Sequence, residues 1–421
     1  MSYVTNDKCL LCSGAVREVL KLTPTPPANC LETIDGEPSA TYPLDLMLCE
    51  SCGHLQLGVS VDPEILFRDY AYVSPKGMQE HWRRHAAQMI PRFSLKHGDL
   101  VVDIGSNSGD LLSYYRDAGM HVLGVEPAEQ IATGARNRGV DTVTAFFSTN
   151  FANTYVNVRG AKLVCMNNAF AHIRDLRDIV GGVKTILSDD GVFIFEVAWR
   201  GATVENCDFA NVYHEHIHYH AVKPLRDFLE SCDMRLFDVQ AIDTHNGSIR
   251  CFAKWRSIPG GPKVEFEHVE DFINREMFNL GLFGEITYTG LHVRIERARY
   301  EFRQLFDALV WGPINAGGVA PKVAVLGCPA KLTTMAYHLG LGPHEVAYVC
   351  DDEPRKIGKL TPGLRWPVRS FEALIEDPPG VCIVGAPNYA DQLVQRAKAL
   401  CRSQGITVPT FINPFPTPRV V

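Results

Sequence analysis

What this sequence lacks narrows it first. None of its 421 residues falls in a run of about 18 consecutive apolar positions, so no segment is long enough to cross a bilayer as a helix. Basic charge is not in excess: 41 Lys and Arg stand against 48 Asp and Glu, a net charge of -7, where a dedicated nucleic-acid binder would be basic. There is no low-complexity tract and no short-period repeat. The 46% hydrophobic and 21% charged residues are those of globular domains, which excludes disorder and collagen-like structure. The opening stretch Met1-Ser2-Tyr3-Val4-Thr5-Asn6-Asp7-Lys8 carries charge where a secretory signal needs an apolar core, so a cytoplasmic location is expected. At roughly 100–200 residues per domain, the length suggests two to four domains.

The 13 cysteines form no even-numbered disulfide framework. Nine are scattered, but Cys9-Leu10-Leu11-Cys12 and Cys49-Glu50-Ser51-Cys52 are two C-x-x-C knuckles with Gly14 and Gly53 close behind. Each knuckle lets two thiolates grip one cation from a tight turn, and two together complete a tetrahedral four-thiolate site that favours zinc. Such a site has no open position, which makes it structural rather than catalytic. The 36 residues between the knuckles (13–48) exceed the usual spacing and are expected to form a ribbon loop.

Further along, short apolar runs alternate with helix-like stretches. Leu100 to Gly105, Val122 to Val125, Leu163 to Met166 and Val192 to Glu196 read as buried parallel strands, with Ala128 to Arg138 and Leu176 to Leu187 as helices between them. A charged amphipathic region from about Pro262 to Gly312 looks helical. A second alternation begins at Lys322 and continues through Val346 to Asp352 and Gly380 to Gly385. The expected architecture is α/β throughout. It comprises an N-terminal zinc ribbon (1–62), a Rossmann-like core (63–260), a helical connector (261–315) and a smaller Rossmann-like α/β domain (316–421).

Two local patterns carry chemistry. Val102-Asp103-Ile104-Gly105-Ser106-Asn107-Ser108-Gly109 has the D-x-G-x-x-x-G spacing of a class I methyltransferase turn. Glycines there allow close backbone approach to a cofactor, and the helix N-terminus behind them suits a carboxylate. Asn107 stands where a dinucleotide fold would prefer glycine. Glu126, at the end of the next strand, is placed to accept from ribose hydroxyls. Pro127, Phe147 and Asn168 are expected to contribute further cofactor contacts. The second pattern is Tyr213-His214-Glu215-His216-Ile217-His218-Tyr219-His220, four histidines in eight residues. A near-neutral imidazole is the natural base for a carbon acid beside a ketone. His216 is read in that role, and His218 and His220 as buried structural residues.

Four cysteines, the D-I-G-x-N-x-G turn, a Y-x-E-H-x-x-Y stretch and a C-terminal α/β domain, in that order, resemble the nucleotide-sugar C-methyltransferases of deoxysugar, antibiotic and surface-polysaccharide pathways. The resemblance covers essentially the whole chain. It implies S-adenosylmethionine as cofactor, bound by Asp103, Gly105, Asn107, Gly109, Glu126, Pro127, Phe147 and Asn168. It also implies structural zinc on Cys9, Cys12, Cys49 and Cys52. The catalytic group would be His216, Tyr213, Glu215 and His172, the last four residues after Asn168. A nucleotide sugar would lie against His245, Asn246, Arg250, Lys331, Asp352 and Lys356. The family's H-G-G-S-x-R turn reads His245-Asn246-Gly247-Ser248-Ile249-Arg250 here, and its G-Y-G-A-x-x-K reads Leu326-Gly327-Cys328-Pro329-Ala330-Lys331. Both departures lie on the substrate side. The implied reaction is carbon methylation beside a 4-ketone, on a small-molecule partner, by a monomer or small homo-oligomer. An O- or N-methyltransferase and a non-catalytic ligand-binding scaffold are the alternatives.

Overall fold

The structure, a computed structural model, describes residues 2–67, 76–155, 158–244, 246–257, 266–315 and 317–421. At its centre is a seven-stranded sheet built from β1 (Leu100–Ile104), β2 (His121–Val125), β3 (Thr142–Val143), β4 (Ala161–Asn167), β5 (Leu187–Ala198), β6 (Met234–Ile242) and β7 (Ser248–Trp255). Its strand order is β3-β2-β1-β4-β5-β7-β6, parallel except for β7, which runs antiparallel to both neighbours. The apolar runs are apolar because both sheet faces are covered: Val101, Val102, Leu163, Val164, Cys165 and Met166 are all fully buried. Helices Asp110–Asp117, Glu129–Asn137 and Leu176–Ile186 supply that cover. The order of strands reverses between β1 and β4. In an open sheet, ligands bind outside the carboxyl ends of the strands at such a point.

The N-terminal unit is a sheet of Val16–Thr25, Tyr42–Cys49 and Leu55–Leu57. Its fourth strand, His218–Tyr219, comes from the middle of the chain and pairs with Leu55 and Gln56. The histidine-rich stretch is thus hung on the cysteine-bearing domain. The C-terminal sheet runs Val368–Arg369, Tyr348–Cys350, Val323–Leu326, Val381–Val384, Thr410–Asn413 and Arg419–Val420, with only the last strand antiparallel.

The expected connector is more than a link. Helix Glu285–Val310 buries Tyr288, Leu291, Ile295, Ala298, Phe302, Phe306 and Val310, spaced three or four apart along one face. All of these except Ala298 share one apolar cluster with Leu20 and Leu22 of the N-terminal sheet and Val323 and Val325 of the C-terminal one. Burying a Leu, Ile or Phe contributes about 1.5–3 kcal/mol each. The helix is therefore a spine that fixes the two outer domains to each other. Among the described residues, no helix is long and apolar enough to cross a membrane.

Candidate active site

A cavity of about 1390 Å³ opens at the carboxyl ends of β1, β2, β4 and β5 and extends to the C-terminal domain. It exceeds the roughly 300–1,000 Å³ that one small ligand occupies, so it has room for two.

At its inner end, β1 delivers Asp103 and a turn in left-handed conformation at Gly105, Asn107 and Gly109 (φ 70°, 48° and 72°). A Cβ on Gly105 would lie 2.9 Å from Ala169 Cβ, so the turn can pass β4 only as glycine. Glu126 is buried and accepts the Asn107 N–H at 3.0 Å and the Ala128 N–H at 2.9 Å. Asp103 Oδ1 is buried with no hydrogen-bond partner among the described residues. Burial, reinforced by Glu126 and Glu196, pushes this carboxyl up to about 8. Pro127, Phe147 and Asn168 also line the cavity. Phe147 is largely packed into the core, whereas its neighbour Phe146 is exposed at 37%. Gly109 does not line the cavity. A Cβ there would meet Val140 and Ala135, which gives it a packing role behind the turn.

In mid-cavity stand Tyr213, Glu215, His216 and His172. His216 Nδ1 donates to the Asn211 carbonyl at 3.0 Å, which fixes the tautomer and leaves Nε2 as an acceptor. The Tyr213 hydroxyl donates to that Nε2 at 2.7 Å. His172 stacks on His216 with ring centroids 5.1 Å apart. Glu215 is buried and accepts from Asn29 Nδ2 at 2.7 Å. His218 and His220 are buried as expected. His54 Nε2 donates to His218 Nδ1 at 2.9 Å, and His218 Nε2 donates to the Ile173 carbonyl at 2.9 Å. Burial holds His218 down at about 4.

On the third wall, Lys331 Nζ donates to Asp208 Oδ2 at 2.7 Å, and Asn246 Nδ2 donates to the same oxygen at 3.2 Å. The C-terminal domain is thereby pinned to the core at the cavity edge. Arg250 faces the cavity but is committed to a buried carboxylate, with Nε donating to Glu196 Oε1 at 2.7 Å. His81 Nε2 donates to the other oxygen at 2.8 Å. Burial alone would raise Glu196, yet His81 and Arg250 bring it down to about 2. The sequence pattern does not mark Glu196, His81 or Asn29 as site residues. Two further residues do not reach the cavity. Asp352 pairs with Arg396, and Lys356 Nζ donates to the Cys328 carbonyl at 2.7 Å. His245 lies outside the described residues.

The four knuckle thiols converge outside the cavity, with Sγ atoms all within 4.8 Å of one another. Cys9 and Cys52 are 3.6 Å apart, and Cys12 and Cys49 are 3.5 Å apart. Four soft donors at this spacing fit one tetrahedral zinc ion.

Known proteins match this layout from end to end. Residues 9–67 match a zinc binding domain family, 78–236 a methyltransferase domain family, and 243–416 the C-methyltransferase C-terminal domain family. Over 421 residues the chain is 32% identical to the C-methyltransferase NovU of Streptomyces niveus, covering 99% of this chain and 97% of that protein. Among solved structures, magnesium protoporphyrin IX methyltransferase (ChlM) from Synechocystis PCC 6803 with bound SAH is 17% identical, covering 42% of this chain and 82% of that one, with a TM-score of 0.34. An S-adenosylmethionine-dependent methyltransferase from Clostridium acetobutylicum is 13% identical over 42% of this chain and 92% of that one, with a TM-score of 0.35.

Proposed function

The chain belongs to the C-methyltransferase family, and from that premise we propose that it methylates a carbon beside the ketone of a 4-keto deoxysugar carried on a nucleoside diphosphate, with His216 taking the proton from that carbon. As an S-adenosylmethionine-dependent methyltransferase with a zinc-binding domain, it needs a second ligand site beside the cofactor. The observation that carries the reading is the Tyr213–His216 pair, placed in a cavity that runs from Asp103 and Glu126 at one end to Lys331 at the other.

The inner end suits the cofactor. An ionised Asp103 would meet a cationic group with its partnerless oxygen, and Glu126 keeps lone pairs for ribose hydroxyls after accepting its two backbone N–H groups. Phe146 offers an apolar ring to a base. When bound, the cofactor supplies an electrophilic methyl on a sulfonium, which a carbon nucleophile can take.

Generating that nucleophile falls to the chain's own residues. A ketone acidifies the neighbouring C–H, and the proton moves to His216 Nε2, directly or through the Tyr213 hydroxyl that rests on it. The Asn211 carbonyl at Nδ1 supports the imidazolium that results. The electron pair left on carbon spreads to the ketone oxygen, where a donor such as Tyr213 or His172 stabilises the enolate. Glu215 would orient the reacting group or hold a sugar hydroxyl. Lys331 and Asn246, which share Asp208, lie where the nucleotide end would reach.

Incubation with S-adenosylmethionine and a panel of 4-keto sugar nucleotides, read by mass spectrometry and carbon-13 methyl NMR, should give a carbon-bound methyl on at least one member. A panel left wholly unmethylated would overturn the substrate assignment. The cofactor end has its own test. Gly105→Ala forces an L-residue into the left-handed region, which costs about 1–2 kcal/mol, and pushes its Cβ onto Ala169. Relief of that strain moves the turn away from the conformation the cofactor would meet, so calorimetry should show S-adenosylmethionine binding weakened by about tenfold if about 1.4 kcal/mol is needed to restore it on binding. Wild-type affinity in the folded variant would place the cofactor elsewhere.

A further inference from the structure

The stretch between the two zinc knuckles is longer than a zinc ribbon needs, and its path shows what the extra length does. After strand Val16–Thr25 the chain leaves the sheet at Pro26 and Pro27 and returns only at Tyr42. On the way it passes over the active-site cavity, where Asn29 becomes a lining residue. Asn29 Nδ2 donates to Glu215 Oε1 at 2.7 Å, joining residues 186 positions apart. Glu215 is almost wholly buried, so a donor on its carboxylate restricts the rotamer it can adopt.

The same loop is gripped from the other side. Glu32 is buried, and its carboxylate accepts the Ser39 N–H at 2.8 Å, the Gly363 N–H at 2.6 Å and the Arg365 guanidinium at 2.8 Å. Arg365 also donates to the carbonyls of Gly36 at 2.8 Å and Ile34 at 2.7 Å. Glu32 and Leu360 exchange backbone hydrogen bonds at 2.9 and 2.8 Å. Arg365 itself is held at φ 58°, a conformation that a non-glycine residue adopts only when its surroundings impose it. The loop is therefore latched to the C-terminal domain on one flank and touches the catalytic stretch on the other.

We propose that the inter-knuckle loop is a wall of the acceptor site, in which Asn29 is a positioning residue for Glu215 and the Glu32–Arg365 latch holds it in place. The proposal rests on the reading of Glu215 as an active-site group and extends it to the zinc-binding domain, which then contributes to turnover as well as to folding. Asn29 acts through Glu215: its N–H fixes one carboxylate oxygen against the cavity wall.

The test uses full-length zinc-loaded protein with S-adenosylmethionine and a nucleoside-diphosphate 4-keto-6-deoxyglucose as acceptor. Asn29→Ala should lower kcat by about 10-fold or more, less than the roughly 10²–10⁴-fold that losing an acid–base group outright costs, because Glu215 itself remains. Cofactor affinity, zinc content and melting temperature should stay near wild type. The loss should fall on kcat with the acceptor KM little changed, and Asn29→Gln, which keeps the amide donor, should recover part of it. A purely structural Asn29 would move stability and leave kcat in place. Arg365→Gln should lower kcat in the same way but more weakly, and hydrogen exchange of residues 27–36 and 210–217 should quicken in both variants. That readout needs no acceptor turnover. Wild-type kcat in Asn29→Ala, alongside a crippled Glu215→Gln, would overturn the proposal while leaving the site reading intact. If Glu215→Gln were also fully active, the site reading would fail with it. Unchanged exchange at 210–217 in both variants would overturn the loop's role even if no acceptor were turned over.

Discussion

A His216→Asn protein is expected to lose about 10²–10⁴-fold in turnover, the usual contribution of a general base, with little change in its affinity for S-adenosylmethionine. Asparagine retains polar atoms near the Asn211 carbonyl and the Tyr213 hydroxyl, so the surroundings need not collapse, but it has no basic nitrogen to receive a proton. Cofactor affinity should survive because Asp103, Gly105 and Glu126 approach the cavity from β1 and β2, whereas His216 belongs to the stretch next to the zinc-binding sheet. Deuterium exchange at the carbon beside the ketone isolates the proton step from methyl transfer. Exchange at the wild-type rate in His216→Asn would move the base to another residue, with His172 and then Tyr213 next in line. Tyr213→Phe is informative beside it. If the hydroxyl relays the proton or steadies the enolate, both exchange and turnover should fall. If it merely rests on Nε2, removing it should leave exchange unimpaired.

Features written locally in the chain are legible from its residues alone. Strands β1, β2 and β4 are short apolar runs with a polar residue at or just past the end, and that pattern alone puts Asp103, Glu126 and Asn168 there. The knuckles are equally plain, since two thiolates three positions apart need only one tight turn. Pairings set by distant chain are not legible. Glu196 closes an apolar run like any strand end. Its partners Arg250 and His81 lie 54 and 115 positions away, so nothing near it marks a buried charged network. Asn29 sits among prolines in an apparent linker, and only the return of the chain past Glu215 gives it a role. Motif matching alone also places residues too generously. Asp352 and Lys356 fall on the expected loop, but the fold spends them on Arg396 and on the Cys328 carbonyl. Gly109 matches the glycine turn, yet Val140 and Ala135 explain it. The β6–β7 pair escapes the pattern because antiparallel partners carry the same apolar signal as parallel ones.

Cys49→Ser is expected to have the largest effect on folding. A structural zinc site contributes about 10–16 kcal/mol in small zinc-finger peptides, against a total of roughly 5–15 kcal/mol for a typical domain. One lost thiolate should therefore leave the N-terminal domain without enough to hold its fold. The consequence should not stop there. Cys49 ends the strand Tyr42–Cys49, the next strand over is Leu55–Leu57, and on that strand hangs His218–Tyr219, two residues beyond His216. Unfolding the zinc-binding sheet removes the edge that carries the Tyr213–His216 stretch, and it frees the loop that brings Asn29 to Glu215. The core sheet, by contrast, has apolar cover on both faces and its own cofactor turn; Cys9, Leu11 and Cys49 pack at the margin of one of those clusters, but most of its members come from the core sheet and its helices. Stoichiometric metal analysis should find zinc lost, and melting should show an early transition absent from the wild type. Hydrogen exchange should rise over residues 2–67 and 210–220 well before it rises over β1 and β4. Turnover should vanish while S-adenosylmethionine binding is partly retained. A Cys49→Ser protein that stays zinc-free, melts as the wild type does and still methylates its acceptor would show that the four thiols hold nothing the fold depends on.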